Sequence, residues 1–448
     1  VPDIAALAAV PPLRSAPLPW RDPVDVYRAL APRFRDLVLL DRGNALRERR
    51  SFVGVPADGP LVLAPDLGGD PLMTVLAALR APLDAERTDS DRLGWWGWLG
   101  YELGVAGLGL PVPEIDAPPA AFLFAAAGVE FDHDAGTVTA IALPGHEALL
   151  RDLVHHLAEP VVLHPARAAA RVVAPARRRH GRERYLQLVE ACRRAIAAGD
   201  AYQLCLTDRI EVELAAPADE AALHERLRDR YPVRNGGIVR IRGWTLVSGS
   251  PEEFLAVDGA GHARTRPMKG TRPRDADPAV DRALARELVA SEKERAENLM
   301  IVDLMRNDLA RVAEVGSVAV TELFGVEHYP AVHQLVSTVE ADLAGDPLDA
   351  VRSLFPAGSM TGAPKHAAVR ILAGLEGGPR GVYSGVWGRV SVDRTIDLSV
   401  VIRSIVLHGT TATIGTGGGV TILSDPAEEW RETEVKAAAL LDVLGAGL

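Results

Sequence analysis

The chain has 448 residues, 48% of them hydrophobic and 24% charged, with a formal net charge of -11. That composition belongs to a soluble globular protein with room for two or three average domains or one large mixed unit. An acidic surface repels phosphate backbones and anionic lipids, and no run of about 18 apolar residues offers a span, so neither nucleic acid nor membrane is an expected partner.

The first residues form a short apolar stretch with no basic leader, interrupted by Pro11 and Pro12, unlike a secretory signal. Residues 1–165 read as a distinct N-terminal region of mixed strands and helices. Its tryptophans Trp95, Trp96 and Trp98 alternate with Gly94, Gly97 and Gly100. They either line a ligand pocket or pack as core against a close backbone, and packing is the commoner use.

Residues 166–183, Ala-rich with Pro175 and the run Arg177, Arg178, Arg179, His180, read as a linker before a catalytic region at 184–448. Tyr185, Leu188, Val189, Cys192 and Ile196 recur at helical spacing, Gly199 and Asp200 end the repeat, and a strand over 201–206 follows. Cys192 and Cys205 fit neither a disulfide framework nor a zinc cluster and suit a reducing cytoplasm. Strand-like runs at 237–241, 245–247, 400–407 and 411–414 surround a long helical pattern over 278–312, with Asp277 as its cap and Pro278 at its first position. The irregular alternation predicts an α+β fold with largely antiparallel sheets.

Lys269 lies in RPMKGT, clamped between Pro267 and Gly270. Held on a stiff segment near other cations, an amine can lose its proton and attack carbon; a solvated surface lysine is the competing reading. Glu252, after Ser250 and Pro251, is either a buried carboxyl kept protonated as a general acid or a simple exposed or capping residue. Glu294 with Glu297, and Glu429 with Glu432, are three apart, which on a helix puts each pair on one face, and Lys436 continues the second face. One Glu from each of two helices, with retained water, is enough for Mg²⁺ if the substrate supplies further oxygens; otherwise these are solvated faces. Gly415 to Gly419 (GTGGG) lies between strand-like runs, against a dinucleotide loop, and either converges amides on an anion or makes a hairpin turn. Arg403, in VVIRSIVL, either faces solvent or enters a pocket to hold a carboxylate. Ser359 opens a tight turn, SMTGAPK.

Taken in order, AYQLC, SPEEF, RPMKGT, AENLMIVDLMRND, GSMTGAPK, VIRSI, GTGGG and EEWRETEVK resemble the chorismate-utilising enzymes across residues 181–445. The resemblance implies the chorismate-binding fold, two face-to-face, largely antiparallel β-sheets flanked by helices. It implies Mg²⁺ held through Glu297 and Glu432, with Glu294 and Glu429 close by. Arg403, Lys436, Ser359 and the amides of Gly417, Gly418 and Gly419 would hold substrate, with Gln203 and Thr271 in the same set. Members that aminate chorismate at C4 carry lysine at the position of Lys269, where anthranilate synthases carry alanine. The lysine would add to ring C2 as the 4-hydroxyl leaves, with Glu252 as proton donor, before ammonia enters at C4.

Gln203 stands where water-adding relatives have a lysine base, and a neutral amide cannot take a proton from water. Neither cysteine has a glutaminase-like context, so ammonia is expected from a separate glutamine amidotransferase subunit. The product would serve p-aminobenzoate and folate or a specialised metabolite. Anthranilate formation and a non-catalytic chorismate-binding role are the alternatives. The chain departs from the family pattern at Gln334, where relatives place histidine, with His333 beside it. It departs also at Arg389, where they often have tyrosine, and at Leu39, Leu40 and Asp41, in place of a tryptophan-binding motif.

Overall fold

The strand Ala120–Asp132 is long enough to join two sheets. Its first half pairs with Leu61–Leu63 and Gly94–Leu99, its second with Arg50–Pro56 and Thr137–Ala142. From Arg50–Pro56 the first sheet continues through Leu37–Asp41, Asn235–Ile241, Trp244–Ser250, Ser404–His408 and Thr411–Val420 to Gln203–Glu213. From Gly94–Leu99 the second runs through Val386–Ser391, Ile396–Val400, Glu253–Val257 and His262–Arg266 to Val332–Asp342, which also pairs with Met268–Pro273 and Ala319–His328. These pairs are all antiparallel, as the α+β reading requires. Strands on either side of 166–183 pair with each other in both sheets. The computed structural model describes residues 12–45, 48–57, 61–63, 69–158, 171–231, 233–330 and 332–447. The apolar stretch up to Pro11 and the start of the 166–183 segment lie outside them.

The two sheets face one another across a shared apolar core. Phe52 of the first stacks on Trp96 of the second with ring centroids 5.4 Å apart, and Val38 and Leu246 share the layer with Leu255 and Leu398. The tryptophans are core: the indole N–H groups of Trp95, Trp96 and Trp98 donate to the backbone oxygens of Leu79, Arg92 and Pro118. A Cβ at Gly97 would lie 1.9 Å from the Ala121 oxygen, so only glycine lets that strand close on its neighbour.

Four expected elements differ. The helix expected over 278–312 is two, Pro278–Ala290 and Glu292–Ala310, because Ser291 ends the first and caps the second, its hydroxyl accepting from Glu294 N at 3.4 Å. Ser291 and Glu294 form the S-x-x-E pattern of a capping box. Asp277 caps the first helix as expected, accepting from Ala279 N at 2.7 Å. The run at 400–407 is not one strand: Ile396–Val400 belongs to the second sheet and Ser404–His408 to the first. The strand beginning at Thr411 runs on through the glycines to Val420, and that beginning at Gln203 runs on to Glu213. The helix Arg182–Ala197 stands where the periodicity places it. No described helix is long and apolar enough to cross a membrane.

The broken strand positions the site. The chain passes from the first sheet to the second between Ser250 and Glu253, and back again between Val400 and Ser404. Because the strands on both sides of these crossings pair with each other, the crossings lie side by side, tied by Val400 N to Glu252 O at 3.1 Å and Gly249 N to Arg403 O at 3.1 Å.

Candidate active site

Glu252 and Arg403 ride on those two crossings. Arg403 has φ of 48°, left-handed backbone that costs a non-glycine residue about 1–2 kcal/mol, so the fold holds a strained residue at this bend. The strand reading of this arginine is thereby corrected: a flat strand would alternate it to one face, whereas the bend sets it beside Glu252. Burial disfavours its charge, against the pull of Tyr231, Tyr329 and Glu252. Glu252 is 6% exposed. Burial pushes its carboxyl up, opposed by the Ser359 hydroxyl, Lys269, Lys436 and Arg403. A carboxyl so placed keeps a proton to give.

Lys269 sits on a bulge in Met268–Pro273. Met268 pairs with Val336 and Thr271 with Gln334, leaving Lys269 and Gly270 opposite the single residue Leu335. Gly270 has φ of 87°, and a Cβ there would lie 2.9 Å from Glu294 Oε2, so glycine is required twice over. The Lys269 ammonium donates to Ser359 O at 3.5 Å. Its surroundings correct the expected cations. Burial does work to strip its proton, but Cys205 and the carboxylates Glu297, Glu252 and Glu432 outweigh it, and the net direction is up.

Two of those carboxylates, Glu297 and Glu432, come from helices. Glu297 stands one turn into Glu292–Ala310, and Glu429 and Glu432 on Pro426–Leu444, capped by Asp425. Burial pushes Glu297 up to about 7, against Lys269 and Lys293 and with Glu294 and Glu429 adding repulsion. Burial and Glu432 push Glu429 up as well. Glu432 goes the other way: burial is overcome by Lys436, whose ammonium is 2.6 Å away, and by Lys269 and Lys293.

The glycines are neither a turn nor a loop. Gly417, Gly418 and Gly419 pair with Thr207, Leu206 and Cys205 inside a continuous ladder. Their missing side chains make room: a Cβ at Gly418 would lie 2.9 Å from Glu429 Oε2, and one at Gly419 2.4 Å from Gln203 Nε2 and 3.3 Å from Glu297 Oε2. Lys436 donates to Gly417 O at 2.8 Å. Gln203 Oε1 and Glu429 Oε2 are buried without a hydrogen-bond partner among the described residues, so each has accepting capacity to spare. Among the described residues no three side chains already form a metal-binding group. The buried carboxyls of Glu297 and Glu429, both pushed up, together with Glu432 one turn beyond Glu429, nonetheless suit a hard cation that keeps its water.

Sequence reasoning missed Lys293, whose ammonium lies 3.7 Å from Glu429 Oε1. A signal was present: only four of the 49 basic residues are lysine, and Lys269, Lys293 and Lys436 all face this cluster. Other residues singled out in the sequence have partners within the fold. Glu294 is tied to Arg272 at 3.2 Å, and the Thr271 hydroxyl donates to Gln334. His333 bonds Asp281 and His328. Arg389 bonds Ser391 and Thr395, and Asp41 is buried against His224 and Arg228.

Residues 63–442 match the family described as chorismate binding enzyme. The chain is 44% identical over 363 residues to aminodeoxychorismate synthase of Streptomyces griseus, covering 79% of this chain and 50% of that protein, so it spans about half that relative's length. It is 33% identical over 450 residues to aminodeoxychorismate synthase component 1 of Salmonella typhimurium, covering 95% of this chain and 97% of that one. The solved structure of anthranilate synthase component I from Streptococcus pneumoniae matches with a TM-score of 0.77 at 26% identity, covering 88% of this chain and 93% of that chain.

Proposed function

The chain belongs to the chorismate-binding enzyme family, and from that premise we propose that it aminates chorismate at C4 to give 4-amino-4-deoxychorismate. One observation carries the reading: an amine, Lys269, stands on a rigid bulge among the carboxylates Glu252, Glu297 and Glu432. Anthranilate formation, which places nitrogen at C2, has no use for a nucleophile there.

Glu297 and Glu432 would hold Mg²⁺, with Glu429 and Glu294 nearby, and the ion would supply charge neutralisation for a substrate carboxylate. Once the charge of these glutamates is matched, and with burial keeping Cys205 a neutral thiol, burial is what remains acting on Lys269, and burial favours the free amine. The Lys269 nitrogen then bonds to ring C2, the double bonds shift, and the C4–O bond breaks. Glu252 gives its proton to the departing hydroxyl, which leaves as water. Ammonia bonds to C4, the C2–N bond breaks, restoring Lys269, and the proton shed by the new C4 ammonium returns to Glu252. Arg403 and Lys436 hold substrate carboxylates, and Gln203 and Ser359 contribute polar contacts. Gln203 cannot activate water, so ammonia is not outcompeted.

The ammonia would come from glutamine through a separate amidotransferase subunit. In support, Cys192 and Cys205 are both buried and free, and burial pushes both thiols up, Cys192 to about 12, so neither is a ready thiolate. The test is product analysis with chorismate, Mg²⁺ and an ammonium salt. Aminodeoxychorismate is expected, and Lys269→Ala should abolish it. Anthranilate with pyruvate from the parent chain, or undiminished C4 amination by the variant, would overturn the reading.

A further inference from the structure

We propose that Gln334 is a positioning residue: its side-chain amide fixes the backbone bulge that aims Lys269 into the site. The inference rests on the role given to Lys269 above.

A bulge withdraws backbone groups from the ladder, and here one side chain replaces what is lost. Gln334 Nε2 donates to Gly270 O at 2.7 Å, and the Thr271 hydroxyl donates to Gln334 Oε1 at 3.0 Å. The orientation is forced, because a carbonyl oxygen can only accept: the amide nitrogen must face Gly270, which leaves the amide oxygen for Thr271. Gln334 is 5% exposed, so water competes little for either bond. On the other flank of Lys269, Ser337 N donates to Pro267 O at 3.2 Å. The bulge is thus pinned on both sides of the lysine. It has little room to relax, since Glu294 Oε2 and Leu288 Cδ1 stand 2.9 and 3.0 Å from where a Gly270 side chain would begin. No bond of the Gln334 amide goes to the carboxylates or to Glu252. Its contribution therefore passes through the backbone that carries Lys269, and it should alter turnover more than substrate affinity.

The test uses the full chain with chorismate, Mg²⁺ and an ammonium salt. It compares Gln334→Ala, Gln334→Glu and the milder Thr271→Val. Gln334→Ala should lower kcat by about tenfold to a hundredfold, the scale of a reacting group displaced by about an ångström. KM for chorismate should stay within about threefold. Gln334→Glu keeps an acceptor for Thr271 but sets a carboxylate oxygen against Gly270 O, so it should lose as much. Thr271→Val, which frees one end of the amide, should fall between. The chain has four lysines, so reductive labelling with pyridoxal phosphate and peptide mass spectrometry reads each separately. Labelling of Lys269 should change in Gln334→Ala while that of Lys293, Lys365 and Lys436 does not.

Parent-like kcat and Lys269 labelling in Gln334→Ala would overturn the inference. So would full turnover by Gln334→Glu, or a loss carried by KM. If Lys269→Ala itself still aminates C4, the proposed function fails, while the labelling arm still decides whether Gln334 orients the lysine.

Discussion

Glu297 offers a test that separates a cation-binding cluster from a merely acidic one. Burial pushes its carboxyl up to about 7, with Glu294 and Glu429 adding to the effect and Lys269 and Lys293 opposing it. A carboxyl with a raised pKa keeps its proton longer in the folded chain than in the unfolded one. Stability from this group is therefore intact below the ordinary 4.5, falls as pH climbs, and is fully lost above about 7. At about 1.4 kcal/mol per pH unit, that interval amounts to about 3 kcal/mol. Because Glu297 is 7% exposed, solvent screening removes little of it. Glu297→Gln deletes the charge and keeps the shape. In EDTA at about pH 8.5 the variant should resist urea better than the parent chain by up to about 3 kcal/mol, with the gap closing toward about pH 5. Mg²⁺ should stabilise the parent chain and leave the variant where it was. The readout is urea unfolding followed by tryptophan fluorescence at both pH values, with chelator or metal. Equal stability of the two chains in EDTA at the higher pH would refute the buried-charge argument, and equal stabilisation of both by Mg²⁺ would remove Glu297 from the cation site.

Gly419→Ala places a methyl 2.4 Å from Gln203 Nε2 and 3.3 Å from Glu297 Oε2. Overpacking of this kind costs about 1–3 kcal/mol, which in substrate binding is about tenfold to a hundredfold in KM for chorismate, measured by steady-state kinetics. Lys293→Ala removes an ammonium 3.7 Å from Glu429 that competes with any added cation. For a side chain 41% exposed the effect is about 1 kcal/mol or less, so Mg²⁺ affinity should rise up to about fivefold by isothermal titration.

What was legible in the sequence was local. The spacing of Glu294 with Glu297 and of Glu429 with Glu432 needs only a helix to mean something, and both helices are there. Ser291 was equally local: its hydroxyl and Glu294 mark a helix start that the long apolar period masked. The misread features are those whose cause lies far along the chain. Arg403 sits in a run that is strand-like on both sides, yet the strand breaks because its two ends pair with different sheets. Gly417 to Gly419 look like a turn to any local rule, but a Cβ at Gly417 would run into the Leu206 oxygen of the paired strand, while Glu429 on Pro426–Leu444 and the amide of Gln203 occupy the space where side chains at Gly418 and Gly419 would go. The charges around Lys269 likewise come from a sheet crossing and two helices, none adjacent to it in sequence. Composition held one non-local signal. In a chain that uses arginine nearly everywhere, a lysine persists where a guanidinium is too large or too permanently charged. Lys365 is buried, 2.7 Å from both Asp308 and the Leu354 oxygen. Lys293 and Lys436 present compact ammonium groups to crowded carboxylates. The role proposed for Lys269 requires it to give up its proton, which an arginine in its place could not do.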